Sequence, residues 1–155
     1  MAKEIERKFL VKSTKYRELA EPITFSQGYI SRVPGKIVRV RLAGEQGFIT
    51  IKGISAGYER DEFEYEIPSA DARQILDKFC EKPLIEKTRR TITFKDKIWI
   101  VDEFEAENEG LVVAEIELES SDETFEKPAW LGCEVTSNPR YYNSHLVVNP
   151  YKDWR

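Results

Sequence analysis

The sequence predicts a mainly β fold of the α+β class: an eight-stranded antiparallel β-barrel with a charged interior and a few outer helices. Apolar residues recur with a period of two in segment after segment, which is the period of a strand. Glycine, proline, asparagine and aspartate stand between these segments, as expected of hairpin turns. A chain of 155 residues suits a single domain over residues 1–155, and closing eight strands into a barrel removes the exposed edges of an open sheet.

Eight strands are predicted from the alternation, at residues 4–11, 26–32, 37–42, 48–51, 59–67, 86–94, 97–105 and 111–119. Hairpin turns are predicted at 33–35, 44–47, 95–96 and 108–110, where turn-forming residues cluster.

Three segments break the alternation. Between Ala72 and Phe79 the apolar residues recur at helical spacing, which predicts a helix that Ser69 caps and that ends near Pro83. Shorter helices are predicted from 13 or 14 through 19 and over 140–146.

Composition and charge exclude several classes of function. The 24 basic and 28 acidic residues give a net charge of −4, which argues against a general nucleic-acid-binding protein. The charged residues at 1–8 and the lack of any apolar run of about 20 residues predict a cytoplasmic protein without a membrane partner. Cys80 and Cys133 are expected to be reduced thiols. With His145 as the single histidine, chemistry must come from carboxylates and cations.

The charged residues of the predicted strands are segregated by sign. The acidic rows are Glu4/Glu6, Glu62/Glu64/Glu66 and Glu115/Glu117/Glu119, and the basic rows are Arg39/Arg41, Lys52 and Lys87/Arg89. Any single row is compatible with a solvated face or with cross-strand ion pairs. Rows of both signs in one small barrel favour faces that point inward and line a polar tunnel wide enough for a small ligand.

Such a tunnel would leave the apolar faces of the strands pointing outward, where the helices and the segment with Trp130, Tyr141 and Tyr142 could cover them. Acidic rows bind hard divalent cations through oxygen, and basic rows bind phosphate oxygens. A metal-bound polyphosphate satisfies both kinds of row.

The same rows carry a resemblance to a known family. Residues 4–8 read Glu-Ile-Glu-Arg-Lys, and seven further motifs follow in order: Gln27–Ile30, Arg39–Arg41, Thr50–Gly53, Arg60–Glu64, Lys87–Arg89, Val101–Phe104 and Ala114–Glu119. Val135-Thr136 and Arg140-Tyr141 follow as a closing segment. Together these motifs resemble the CYTH family, also called triphosphate tunnel metalloenzymes.

The resemblance implies an eight-stranded triphosphate tunnel that works with Mg²⁺ or Mn²⁺ as cofactor. Known activities of the family include inorganic, thiamine and RNA 5′-triphosphatase and class IV adenylate cyclase. The short form of the chain is similar to members that hydrolyse inorganic tripolyphosphate to pyrophosphate and phosphate. The expected partner is therefore a small-molecule triphosphate, with the protein a monomer or a homodimer.

Site roles are expectations from these rows and the resemblance. The triphosphate would be held by Lys8, Arg39, Arg41, Lys52, Lys87 and Arg89. The metal ligands would come from Glu4, Glu6, Glu62, Glu64, Asp102, Glu115, Glu117 and Glu119. A metal-activated water would attack a terminal phosphorus, with Glu6 or Lys87 as the catalytic proton acceptor. Alternation places Asp102 between Ile100 and Phe104, so only the resemblance indicates a site role for it.

Three alternatives to tripolyphosphate hydrolysis stay open. A class IV adenylate cyclase would use the same tunnel to convert ATP into cyclic AMP and pyrophosphate. A nucleoside or thiamine triphosphatase would differ in the space that the tunnel mouth leaves for an organic group. A non-catalytic polyphosphate-binding module would keep the tunnel without turnover.

Overall fold

The computed structural model describes residues 3–154, so the predicted domain bounds at 1 and 155 lie outside the described residues. Nine strands are present: β1 (Lys3–Val11), β2 (Ile23–Val33), β3 (Lys36–Ala43), β4 (Gln46–Lys52), β5 (Glu59–Ile67), β6 (Ile85–Phe94), β7 (Lys97–Phe104), β8 (Val112–Glu117) and β9 (Leu131–Glu134). The helices are α1 (Ser69–Lys78) and α2 (Asn143–Leu146). Short 3-10 turns lie at Lys15–Glu18, Ala106–Asn108, Pro139–Tyr141 and Tyr151–Asp153.

The first eight strands form a closed antiparallel ring, as predicted. The strand order is β5-β4-β3-β2-β6-β7-β8-β1, and β1 pairs back onto β5. This closing pair is short and joins Lys3–Ile5 to Glu59–Asp61. The alternation does not predict β9. This strand lies on the same edge of β1 as β5 does, and it pairs with β1 at Phe9 and Val11. Between these two pairings, the N–H of Glu6 donates to the carbonyl oxygen of Tyr58 and the carbonyl oxygen of Lys8 accepts from the N–H of Val135, so loop residues bond this part of the β1 edge.

Several predicted element bounds are wrong, each for a local reason. Pro68 occupies the N-cap position of α1, so Ser69 is the first helical residue and makes no capping hydrogen bond. The predicted helix over 13–19 is one 3-10 turn, and the segment 140–146 is divided between a 3-10 turn and α2. β8 ends at Glu117 instead of 119, because the backbone turns there and the N–H of Glu119 donates to the Glu123 carboxylate (2.7 Å).

The outer faces of the strands are apolar and are covered in part, with Ile51, Phe63 and Tyr65 left exposed. The prediction that Tyr141 and Tyr142 cover an outer face is wrong, because Tyr142 lines the cavity and Tyr141 packs against the apolar cluster around Leu146.

One core joins Phe9, Trp99 and Ile116 to Tyr16 of the first 3-10 turn and to Trp130. A second core lies under α1, where Ala72 and Leu76 pack with Val40.

Gly47 lets α1 approach this closely. A Cβ at Gly47 would lie 2.7 Å from the Cβ of Ala72, a separation that real atoms do not adopt.

One end of the barrel interior is also apolar, which the sequence did not predict. Tyr29, Phe104 and Val113 face inward there and pack against Leu146 and Val147 at the end of α2. This plug seats the start of α2 against the charged part of the interior. Within residues 3–154, no helix combines the length and the apolar character that crossing a membrane would need.

Candidate active site in the barrel interior

The charged side chains of the barrel interior line a cavity of about 330 Å³ and lie on two opposite walls. In the ring, β1 lies opposite β2, so β5-β1-β8 form one wall and β3-β2-β6 form the other. We call the first the acidic wall because it carries all six lining carboxylates: Glu4, Glu6, Glu62, Glu64, Glu115 and Glu117. We call the second the basic wall because it carries Arg39, Arg41, Lys87 and Arg89. The two-residue period places these side chains inward, and the ring order separates them by sign.

Three carboxylates of the acidic wall converge. Oxygen atoms of Glu4, Glu62 and Glu117 all lie within 4.8 Å of one another. Burial, and then the charge of Glu4, raises the pKa of both Glu62 and Glu117. Oxygen donors from three strands, which repel one another when empty, suit a hard divalent cation. We call Glu4, Glu62 and Glu117 the acidic trio.

Glu4 is the anchor of the acidic trio. Its carboxylate accepts hydrogen bonds from Lys52 (3.2 Å to each oxygen) and from Arg60 (3.2 Å). Burial alone would raise the pKa of Glu4, but Lys52 and Arg60 outweigh burial and lower it to about 2. Glu4 is therefore ionised at neutral pH, and Lys52, which also lies 3.4 Å from Glu62, partly neutralises the trio.

The basic wall contains guanidinium groups with unused donors. Glu64 accepts from Thr50 (2.7 Å) and Arg41 (3.2 Å), with Arg39 at 3.5 Å. The Nε atoms of Arg39 and Arg41 are nevertheless buried without a hydrogen-bond partner among the described residues. Burial, followed by repulsion from Arg39 and Arg89, lowers the pKa of Arg41 to about 10. Buried donors and crowded positive charge both favour binding of an anion here.

Asp102, on β7 next to the basic wall, pairs with two of the cations of that wall. Its carboxylate accepts hydrogen bonds from Arg89 Nε (2.7 Å) and Arg89 Nη2 (2.9 Å), and it lies 2.8 Å from Lys87 Nζ. Burial raises the pKa of Asp102, but Arg89 and Lys87 outweigh burial and hold it well below its usual range. Burial, assisted by Arg89, lowers the pKa of Lys87 to about 7 despite Asp102. Both oxygens of Asp102 are therefore engaged by cations that face the cavity.

Lys8 and Glu6 complete the acidic wall. Lys8 Nζ lies 3.0 Å from Glu115 and donates to the carbonyl oxygen of Tyr141 at 3.4 Å. Burial, with the charges of Glu115 and Glu4, raises the pKa of Glu6 to about 8. Glu6 is thus the lining carboxyl group that most readily carries a proton near neutral pH.

This shift predicts a pH-dependent stability difference for Glu6→Gln. A carboxyl group whose pKa rises on folding contributes stability that is present below its ordinary value of 4.5 and is lost as the pH rises through 8. Glutamine stays neutral, so Glu6→Gln should gain free energy of unfolding relative to wild type between pH 5 and pH 8. Urea unfolding in EDTA at both pH values checks this, with exposed Glu126→Gln as the control. An equal difference at pH 5 and pH 8 would contradict it.

All but two of the residues predicted for the site line the cavity. The cations Lys8, Arg39, Arg41, Lys52, Lys87 and Arg89 and the carboxylates Glu4, Glu6, Glu62, Glu64, Glu115 and Glu117 do so. Asp102 lies behind this lining, bonded to Lys87 and Arg89. Glu119 is exposed beyond the end of β8 and does not line the cavity.

The cavity also contains residues that the sequence reasoning missed. Arg60 shares the alternation of Glu62 and Glu64, so the two-residue period could have found it. Tyr142 and Asn143 reach the cavity from the C-terminal segment, whose contacts with the barrel no periodicity reports.

The lining charges nearly cancel. Among residues 3–154, seven cationic and six acidic side chains line the cavity, an excess of one positive charge when all are ionised. Each of the six cations predicted to hold phosphate also lies within 4.0 Å of a carboxylate oxygen. A strongly negative ligand would therefore need additional cations to be held here.

Two known proteins are similar to this chain over nearly its whole length. An inorganic triphosphatase of Acetivibrio thermocellus is 52% identical over 155 residues, which cover 100% of this chain and 99% of that protein. An inorganic triphosphatase of Nitrosomonas europaea is 33% identical over 150 residues, 94% of this chain and 97% of that one.

Solved structures share the fold. The crystal structure of an inorganic triphosphatase superimposes with a TM-score of 0.67 at 30% identity, covering 94% of this chain and 97% of that chain. A Bacillus halodurans protein proposed to be an adenylate cyclase gives a TM-score of 0.61 at 17% identity, over 79% of this chain and 84% of that one, which shows the fold alone. The CYTH domain family model matches residues 2–145. The chain therefore belongs to the CYTH domain family.

Proposed function

We propose that this protein is a metal-dependent triphosphatase that hydrolyses inorganic tripolyphosphate to pyrophosphate and phosphate, with Mg²⁺ or Mn²⁺ at the acidic trio. The observation that carries the proposal is the pairing of two half-sites across one cavity. The basic wall presents buried Nε donors of Arg39 and Arg41 that lack partners among the described residues, and the acidic trio faces them. The names of the two curated relatives support the choice of inorganic triphosphate as the substrate.

Charge balance favours a metal-bound substrate over a free one. The cavity walls have an excess of only one positive charge, which cannot offset a triphosphate. Divalent cations at the acidic trio would supply the missing positive charge beside the phosphates. A divalent metal ion bound there would polarise phosphoryl oxygens and lower the pKa of a water molecule.

The protein's own side chains would bind the triphosphate and hold the binding cations in place. Arg39, Arg41 and Arg89 would hold phosphate oxygens through N–H groups, and Lys8 and Lys52 would fix the position of the anion as point charges. Glu64, Glu115 and Asp102, which already accept from these cations, would orient them.

Two groups are suited to accept the proton of the attacking water. The pKa of Lys87, lowered to about 7, leaves part of the Nζ population neutral at neutral pH. The pKa of Glu6 is raised to about 8, so a minority of Glu6 side chains are ionised at neutral pH, and the ionised carboxylate is a stronger base than an ordinary glutamate. We assign proton transfer to these two residues, the two candidates that the sequence analysis also named.

A parallel assay tests the proposal. Tripolyphosphate, ATP and thiamine triphosphate are each incubated with Mg²⁺, Mn²⁺ or EDTA, phosphate release is measured, and the ATP reaction is followed for cyclic AMP. We expect metal-dependent phosphate release from tripolyphosphate that is faster than from ATP or thiamine triphosphate and is lost in EDTA. Cyclic AMP formation from ATP would replace the proposal by a cyclase, and binding without turnover of any substrate would replace it by a binding module.

A further inference from the structure

Asn143, the first residue of α2, connects the C-terminal segment to the basic wall. Its side chain lines the cavity, and its Oδ1 accepts hydrogen bonds from Lys87 Nζ (3.0 Å) and from Gln27 Nε2 (3.2 Å). Gln27 is completely buried on β2, between the two strands that carry the basic wall's cations. Asn143 therefore contacts the wall through an acceptor atom shared by two donors.

These partners fix which way the Asn143 amide points. The ammonium group of Lys87 can only donate, so the atom that faces it must be Oδ1. Gln27 must then donate through Nε2 to the same oxygen. Asn143 Nδ2 consequently lies on the other side of the amide, and it has no acceptor among residues 3–154.

The backbone of Asn143 is held firmly enough for this orientation to persist. Leu146 and Val147, at the other end of α2, are buried in the apolar plug with Tyr29 and Phe104. Asn143 is only half-buried and lines the cavity, so its N–H₂ group is not enclosed in the core. A directed, unpaired donor beside Lys87 suits an anionic oxygen.

We propose that Asn143 is a substrate-binding and positioning residue: its Nδ2 donates to a phosphate oxygen of the bound triphosphate while its Oδ1 fixes Lys87. This inference rests on the proposed function for the identity of the anion. It assigns a role in phosphate recognition to the C-terminal segment, outside the charged strands. Gln27 acts through Asn143 by holding the amide in the orientation that presents Nδ2 to the cavity.

The test compares Asn143→Ala with Asn149→Ala. Asn149 is the same residue type in the same segment, is exposed, and does not line the cavity. Tripolyphosphate binding is measured by calorimetry with Mg²⁺ and an imido analogue of tripolyphosphate, because the cavity needs added cations to hold the anion and the P–N–P bridges of the analogue prevent turnover. Asn143→Ala should weaken binding about tenfold or more, the effect of a lost hydrogen bond to a charged group. Asn149→Ala should bind like wild type.

Asn143→Asp separates the two roles of the amide. One carboxylate oxygen still accepts from Lys87, but the other places negative charge where Nδ2 stood. We expect Asn143→Asp to bind tripolyphosphate more weakly than Asn143→Ala, with a thermal midpoint no lower than that of the alanine variant. In steady-state kinetics with Mg²⁺, Asn143→Asp should raise KM chiefly, whereas Asn143→Ala should also lower kcat because Lys87 loses one of its two acceptors and keeps only Asp102.

Two results would overturn the inference: binding by Asn143→Ala within twofold of wild type, or tighter binding by Asn143→Asp than by Asn143→Ala. If the alanine variant does not fold, Asn143→Asp is compared with wild type directly, and binding by Asn143→Asp within twofold of wild type overturns the inference. Failure of the proposed function would appear as a wild-type protein that binds tripolyphosphate but does not hydrolyse it. The affinities of the Asn143 variants could still be compared in that case, so the two failures are distinguishable.

Discussion

Glu117→Gln is expected to reduce metal-dependent phosphate release from tripolyphosphate at least about 100-fold without lowering the free energy of unfolding. Glu117 is the most exposed member of the acidic trio, and its side chain makes no ion pair or hydrogen bond with residues 3–154. Burial and the charge of Glu4 raise its pKa, so ionised Glu117 is disfavoured when no cation is bound. Glutamine removes this repulsion together with one metal ligand.

The measurement is kcat/KM with Mg²⁺ or Mn²⁺, combined with urea unfolding in EDTA. Glu119→Gln is the matched variant, because Glu119 lies two residues along the chain but is exposed outside the cavity. We expect it to keep most of the activity. Equal activity of Glu117→Gln and wild type would remove Glu117 from the site, and equal losses in both variants would extend the site beyond β8.

The inward faces of the strands could be predicted from the sequence because a two-residue period determines which side chains share a face. The period does not determine where a strand ends. Glu115, Glu117 and Glu119 have the same spacing, yet the chain turns after Glu117 and Glu119 leaves the face. The end of β8 depends on a local contact with Glu123 that carries no periodic signal.

The sequence also could not predict which carboxylates lie together and which pair with arginines. Glu4, Glu62 and Glu117 converge because β5 and β8 both flank β1 in the closed ring, and that order is a property of the topology. Glu64 has the same spacing as Glu62 but accepts from Thr50 and two arginines across the sheet. Alternation predicts which charges are inside, and the strand order decides which of them pair.

Asn143 illustrates a third limit. The C-terminal segment reaches the cavity through the apolar plug, so its contacts depend on how Leu146 packs inside the barrel. No motif or period in the sequence indicates that contact.

Asp102→Asn is expected to lower the free energy of unfolding strongly, whereas Glu117→Gln is expected not to lower it. Asp102 is buried and is the ion-pair partner of both Lys87 and Arg89. Removing its charge leaves two neighbouring buried cations without a counter-charge, which should cost about 3–5 kcal/mol in the free energy of unfolding. Turnover should fall as well, because Lys87 and Arg89 lose the carboxylate that orients them.

Urea unfolding in EDTA at pH 7 measures the effect, and Asp61→Asn is the control. Asp61 is exposed and paired with Lys3 at 3.1 Å, so its loss should cost less than about 1 kcal/mol. If the unpaired charges cause the instability, adding Lys87→Met to Asp102→Asn should recover part of the lost stability. A cost for Asp102→Asn as small as that for Asp61→Asn would mean that the pairs of Asp102 are as weak as surface pairs. The change in the free energy of unfolding therefore distinguishes the two carboxylates: it falls when Asp102, which pairs with Lys87 and Arg89, is neutralised, and it does not fall when Glu117, a proposed metal ligand, is neutralised.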